Sequence, residues 1–222
     1  MSRVVVKLGG RVAASSVGHA LERHEAGDEV VVVHGAGPQI SAELERLGLP
    51  VRFVGGRRFT DAPTLDVVRA SLLSVGCRLA SRIGPLAQHL VGDEIGLLAE
   101  PVPDLGLVGY PVPSRPAAVL QALAAGRIPV VTPVAVGPLN VNADEAASAL
   151  AIGLEADRIV FVSDVPGVIV EGAVARSLRA DHASELLSSG AFDGGIVPKL
   201  FAAVRAAQLG VQAEIGATEV LA

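Results

Sequence analysis

Four short aliphatic segments constrain this chain more than any other feature. Residues 4–8, 29–33, 128–134 and 158–163 are nearly continuous Val/Ile/Leu runs without the apolar/polar alternation of a half-exposed strand. Such runs belong to strands covered on both faces, and helical patterns fill the intervals between them. That succession predicts an α/β fold with a largely parallel sheet and helices packed on it.

The first unit reads as a strand, a loop and a helix through about Glu25, a second strand, then the helix "PQISAELERLG", with Pro38 suited to its first turn and Gly48 to its stop. After "GGRRFTDAPT" a long helix carries Leu65, Val68, Leu72, Val75, Leu79 and Ile83 at steps of three and four. This stripe is a core face, and a second apolar edge at Val67 and Leu73 suits a dimer seam equally well. Glycine and proline punctuate residues 95–113, read as short antiparallel strands or a hairpin on the sheet rim. The last third reads as helix 144–155, strand 158–163, hairpin 168–176, helices 181–189 and 197–209, and a final strand near 211–215. With no repeat or low-complexity tract, the 222 residues make one compact unit able to bury its own core.

Composition excludes several classes. The net charge is −5 and the longest basic cluster is Arg57-Arg58, which argues against nucleic acid or an anionic membrane as partner. The apolar runs are strand-length, too short to span a bilayer. "MSRVVVKLGG" enters a strand pattern with no signal-peptide architecture, and the single cysteine fits a reducing cytoplasm. Cys77 sits in an apolar helical pattern with no base in view, so it reads as a core or interface residue rather than a nucleophile.

Against sixteen arginines the chain has two lysines, Lys7 and Lys199. Where arginine supplies the ordinary positive charge, two retained lysines point to a need for a compact ammonium. Lys7 stands near the carboxyl end of the first strand, ahead of Gly9 and Gly10, at the sheet edge where ligands of open parallel sheets sit. "HGAG" follows the second strand and opens a helix, a place suited to a phosphate or carboxylate; His34 reads as a structural residue of that turn. The glycine spacing is not that of a dinucleotide fingerprint, and no P-loop or protein-kinase signature occurs. Arg58, beside a glycine turn, suits bidentate recognition of a carboxylate, while Arg57 reads as solvated.

"LNVNADEAASALA" sets Asn140, Asn142 and Asp144 at a loop-to-helix junction. Capping needs only one of them, which leaves the others for a ligand or for orienting cations. "VSDVPGV" turns at the carboxyl edge after a buried strand. "DGGIVPKL" puts Lys199 in the first turn of a helix, against the macrodipole, a conflict that an anion between helix and ammonium resolves. Phosphoryl transfer asks for these parts: a positioned donor, positive charge on the transferring and leaving oxygens, and Mg²⁺ on the polyphosphate.

"KLGG", "HGAG", "GRRFTD", "NVNADEAASALA", "VSDVPGV" and "GGIVPKL" occur in the order and approximate spacing of the amino acid kinase family, and from residue 3 to about 215 the chain resembles its members, above all those acting on an acylated glutamate. Each motif is weak alone; six in order are specific. The resemblance implies a three-layer α/β/α sandwich, an acyl-amino-acid and dimerisation lobe over 1–155, a nucleotide lobe over 156–222, and a homodimer through the long helix after "RFTD". It implies ATP-dependent phosphorylation of the side-chain carboxylate of N-acetyl-L-glutamate, the second step of arginine biosynthesis. Lys7 then stabilises the transferred phosphoryl group, Lys199 the leaving oxygen, and Asp144 holds both lysines. Ala36, Gly37, Arg58 and Asn140, with Asn142 beside them, fall at acceptor-binding positions. Gly9 and Gly10 match the phosphate loop; Asp164, Val165, Pro166, Gly167, Val168 and Ile169, with Ala191, Phe192, Asp193 and Gly195, match segments bordering ATP. Mg²⁺ rides on the ATP phosphates, with no metal ligands assigned to the protein.

The sequence also departs from the family's pattern. Ala36 replaces the commoner second glycine of "HGGG", which requires a negative φ there. The segment between "KLGG" and "HGAG" is short, as is the C-terminus, and no helix precedes "MSRVVVKLGG", where arginine-inhibited members carry the one that builds a hexamer. The expectation is a dimer without that regulation. Competing readings are a related kinase for glutamate or aminoadipate carried on an acidic protein, and a nucleotide-binding protein of the same fold without turnover.

Overall fold

The computed structural model describes residues 1–9, 15–162 and 165–222. Gly10, Ser163 and Asp164 lie outside the described residues. In chain order, β1 (Arg3–Leu8), α1 (Ser15–Glu25), β2 (Glu29–His34) and α2 (Gly37–Arg46) precede a small hairpin, β3 (Phe53–Val54) and β4 (Arg57–Arg58). The long helix α3 (Ala62–Ile83) leads to β5 (Ala87–Val91), the single turn α4 (Gly92–Ile95), β6 (Ala99–Pro101) and β7 (Val108–Pro111). Next come α5 (Ala117–Ala124), β8 (Ile128–Thr132), β9 (Val134–Ala135), β10 (Leu139–Val141), α6 (Ala143–Gly153) and β11 (Arg158–Val162). The chain closes with β12 (Ile169–Val170), β13 (Ala173–Val174), β14 (Ser177–Arg179), α7 (Ala180–Ser188), α8 (Ile196–Gln208), β15 (Gln212–Ile215) and β16 (Thr218–Leu221).

Eight strands form the central sheet in the order β14-β16-β15-β11-β1-β2-β8-β5, parallel throughout except at the β15/β16 pair. The four aliphatic runs are its inner strands, as expected. β1 lies at the centre, where the chain steps to β2 on one side and later returns to β11 on the other. This is the switch point at which open α/β sheets form a crevice beyond their carboxyl ends. A second sheet, β6-β7-β10-β9, forms the rim; its β6/β7 pair is the antiparallel hairpin read from residues 95–113.

Strand parity decides what each face meets. Val4, Val6 and Leu8 pack with Val17 and Ala20 of α1 and Ile83 of α3. Val5 shares the opposite layer with Val31, Val33, Phe161 and the inner faces of α5, α6, α7 and α8. Lys7, two residues after Val5, therefore points into the α6/α8 layer, opposite Val33 and Phe161 in the register. Phe161 is fully buried there, and burying a side chain of this size contributes up to about 3 kcal/mol. The inner face of α6 is Ala146, Ala147, Leu150 and Ala151, small enough for the helix to lie close on the sheet. α2 packs on α3 through Ile40, Leu44, Val68 and Leu72.

Two expectations need correction. Cys77 is exposed on α3, so it is no core residue, and a base does stand beside it: His89 Nδ1 of β5 is 3.6 Å from its Sγ. Arg57 is not free in solvent but ion-paired to Glu145. The stripe from Leu65 to Ile83 does face the core, with Leu79 half-buried, and the outer face of α3 exposes Asp66, Ala70, Ser74, Cys77 and Ser81.

Candidate active site

A cleft of about 1500 Å³ opens at the carboxyl edge of β1, β2 and β11. Three helices begin on its wall: α2 after Ala36, α6 after Asn142 and α8 after Gly195. Neither α2 nor α8 has a side-chain cap, so their first backbone N–H groups and the positive ends of their dipoles face the cleft uncompensated by a side chain. Ala36 has φ −141°, the negative value its methyl requires.

At the floor, Lys7 and Lys199 meet on one carboxylate oxygen. Lys7 Nζ lies 2.8 Å and Lys199 Nζ 3.1 Å from Asp144 Oδ1. The three residues are 6%, 7% and 8% exposed in the order Lys7, Lys199, Asp144, and all three border the cleft. Burial alone pushes the Asp144 carboxyl up; the two ammonium groups outweigh that penalty and hold it below the usual carboxylate range. Lys199 Nζ also sits 5.5 Å from the centre of the Phe161 ring. Two buried ammonium groups on one carboxylate oxygen concentrate positive charge at the cleft floor, a setting suited to an anionic group.

Asn142 is the cap: its Oδ1 accepts from the backbone N–H of Asp144 at 2.8 Å and of Glu145 at 3.2 Å. Asn140 instead donates through Nδ2 to Thr60 Oγ1 at 2.9 Å and lies on the cleft wall. Arg58, 7% exposed, donates through Nη2 to Ser41 Oγ at 2.8 Å and stacks 4.6 Å from the centre of Phe53. Its Nη1 is buried without a partner among the described residues. A buried unsatisfied guanidinium nitrogen on a cleft wall is a ready donor to a carboxylate. Desolvation lowers the Arg58 pKa, which from so high a starting value leaves the group charged.

His34 is fully buried and its Nε2 lies 3.2 Å from Thr132 Oγ1, which also bonds His89 Nε2 at 2.8 Å. Burial, then the neighbouring His89, depress its pKa to about 3, so the imidazole is neutral at physiological pH and structural, as read from the turn.

Of the expected ATP-bordering residues, Gly9, Val165, Pro166, Gly167, Ile169, Ala191, Phe192, Asp193 and Gly195 line the cleft together with Ala36, Gly37 and Asn142. Val168 does not: it is fully buried in the core and its backbone N–H donates to Thr218 Oγ1. The extended chain turns alternate side chains inward there, and Val168 takes the inward position between Gly167 and Ile169. The sequence reading missed Ser41, the partner of Arg58; a serine one turn into an uncapped helix carries no local signal for that role. Among the described residues no group of three or more His, Cys, Asp or Glu is placed to hold a metal ion.

Two buried lysines and uncapped helix starts around a cleft at the switch point of a parallel sheet are the parts of a protein suited to phosphoryl-group chemistry. Sequence relationships narrow it: a profile of the amino acid kinase family matches residues 2–216, and the chain belongs to that family. It is 41% identical to the acetylglutamate kinase of Roseiflexus castenholzii over 82% of this chain and 75% of that protein. To the acetylglutamate kinase of Kineococcus radiotolerans it is also 41% identical, over 94% of this chain and 80% of the other. The crystal structure of smu.665 from Streptococcus mutans superimposes with a TM-score of 0.88 at 26% identity, covering 99% of this chain and 98% of that one.

Proposed function

We propose that the protein phosphorylates the side-chain carboxylate of N-acetyl-L-glutamate with ATP, the reaction that commits acetylglutamate to arginine synthesis. The observation that carries this reading is the pair of buried ammonium groups on one Asp144 oxygen at the cleft floor. Relatives named acetylglutamate kinase at this identity and coverage support it. One carboxylate oxygen of the acceptor attacks the γ-phosphorus, a new P–O bond forms, and the bond from that phosphorus to the β,γ-bridging oxygen breaks, leaving ADP. No proton needs to be removed from a carboxylate nucleophile, so the step requires no general base. Lys7 neutralises charge on the phosphoryl oxygens, Lys199 on the departing bridging oxygen, and Asp144 fixes both. Arg58 and Asn140 hold the acceptor, with Ala36 and Gly37 offering backbone N–H groups.

Mg²⁺ arrives on the ATP phosphates; Asp144 is already committed to two cations, which supports a metal held by the nucleotide. Residues 1–155 carry the acceptor and 156–222 the nucleotide, the two parts sharing the central sheet. We place a homodimer on the exposed outer face of α3, where small side chains and Cys77 permit a second helix to approach, and the protein in the cytoplasm. No described helix is long and apolar enough to cross a membrane.

The test is purified protein with N-acetylglutamate and MgATP, the acyl phosphate trapped as hydroxamate. Product well above that of Lys7→Ala is expected; product no greater than that of the variant overturns the reading, and product only from a carrier-linked amino acid would redirect it.

A further inference from the structure

Glu145 follows Asp144 in the first turn of α6, so a rotation of about 100° aims it away from the lysines. It is 5% exposed, and its carboxylate bonds Arg57 Nη2 of β4 at 2.5 Å. The Arg57 guanidinium lies 5.5 Å from the centre of the Tyr110 ring on β7; the same ring holds Arg205 of α8 at 4.7 Å, and Arg205 Nη1 donates to Pro111 O at 2.8 Å. Burial raises the Glu145 carboxyl pKa while Arg57 and Arg205 pull it down. One cluster thus joins the β3–β4 hairpin, the helix that carries Asp144 and the helix that carries Lys199.

Apart from Arg58, which is bonded to α2, the hairpin is largely exposed. Its strands are two residues each, and Phe53, Val54, Gly55 and Gly56 are exposed. Successive residues of a strand point to opposite sides: Arg58 reaches back to Ser41 of α2, and Arg57 forward to Glu145. A buried ion pair is a poor source of net stability, because desolvation offsets most of its Coulomb energy, but it specifies one geometry.

We propose that Arg57 and Glu145 are positioning residues for the acceptor: their pair clamps the β3–β4 hairpin to the start of α6 and so sets the spacing between Arg58 and the Lys7–Asp144–Lys199 floor. This rests on the reading of the cleft as a carboxylate-phosphorylating site. Arg57 borders the cleft and Glu145 does not line it, and the role assigned to both is positioning.

The experiment is a double-mutant cycle with Arg57→Gln, Glu145→Gln and both, plus Arg57→Lys, each assayed for acceptor and nucleotide dependence. Each Gln variant should raise KM for N-acetylglutamate about tenfold with kcat and KM for ATP within about twofold, and the double variant should be no worse than either single. Arg57→Lys, which can still reach the carboxylate, should recover most of the acceptor affinity. In the protein without substrates, amide hydrogen exchange over residues 52–59 should quicken in Glu145→Gln while α8 is unchanged. Additive losses, a loss confined to kcat or to ATP, or unaltered exchange in the hairpin would overturn the proposal. If the wild-type protein makes no acyl phosphate from N-acetylglutamate, the functional reading fails, and the exchange measurement still decides whether the clamp exists.

Discussion

Asp144→Asn is the substitution that most directly tests the cleft floor. Both Nζ atoms bond the same Oδ1, at 2.8 and 3.1 Å, so the two ammonium groups are no more than about 6 Å apart. At that separation and an effective dielectric of about 20, two like charges repel by about 3 kcal/mol. Asparagine keeps the size and one acceptor oxygen but removes the charge that offsets this repulsion; removing one partner of a buried pair typically costs about 3–5 kcal/mol. We expect the low end, about 3 kcal/mol, because the ammonium groups border the open cleft; for a chain of this length that is a fall in Tm of roughly 6–12 °C. Released from their common partner, the lysines no longer stand where the phosphoryl oxygens need them, and kcat should fall about 100-fold.

Loss of the shared anion adds a signature that ordinary destabilisation lacks. A polyphosphate can replace the missing anion, so a non-hydrolysable MgATP analogue should raise the Tm of Asp144→Asn by more than that of the wild type. The pH dependence has a defined sign. The Asp144 carboxyl is held below its unfolded value of 3.8, so its stabilising contribution is complete above that value and is lost as pH falls through the lower folded one. The Tm gap between wild type and variant should therefore stay constant from neutrality down to about pH 5 and close only in stronger acid. Thermal melts with and without the analogue, together with hydroxamate turnover, decide the matter. A variant whose Tm is unchanged and whose kcat stays within about tenfold of wild type would refute the claim that this carboxylate organises the lysines.

Lys199→Arg keeps the charge but spreads it over a planar fork, and kcat should fall well over about tenfold, a barrier increase above about 1.4 kcal/mol; near-normal turnover would show that charge alone suffices. His34, with a pKa of about 3 in the fold against 6.5 unfolded, favours the folded state fully above the unfolded value and loses that contribution as pH falls below it. Between neutrality and about pH 5 the loss amounts to about 2 kcal/mol, so urea titrations of His34→Gln should show a pH dependence of stability flatter by that amount; an unaltered slope would count against a buried neutral imidazole.

What was legible in the sequence follows from how many faces each element buries. β1, β2, β8 and β11 are covered on both sides and spell themselves out as aliphatic runs. β5, β14 and β16 went unread: "AQHLV", "SLR" and "TEVL" lie at or next to the sheet edges and are only partly buried. That no base was in view for Cys77 follows from that gap, since His89, its neighbour, stands on β5. The glycine-bearing strand ends and the two rare lysines could be recognised because each chemical need is met within a few residues. The Arg57–Glu145 pair spans 88 positions and leaves no local trace; only the fold brings it together.

The convergence of Lys7 and Lys199 on Asp144 hangs on two local choices of register. In β1 the residues of one parity, Val4, Val6 and Leu8, face α1 and α3, and Val5 and Lys7 face α6 and α8. A slip of one residue would send the ammonium to the wrong layer and drive Leu8 into the cleft floor. In α6 the choice is made by the cap. Because Asn142 takes the capping position, Asp144 falls in the first turn, where the positive helix end favours its negative charge and its side chain meets the strand parity of Lys7. Lys199, unfavourable in the first turn of α8 by its own dipole, is stabilised there by that same carboxylate. The lysine that opposes its own helix is thus held by an aspartate that suits its own, which makes the pair of helix starts, rather than either lysine alone, the unit to which the proposed reaction assigns phosphate charge.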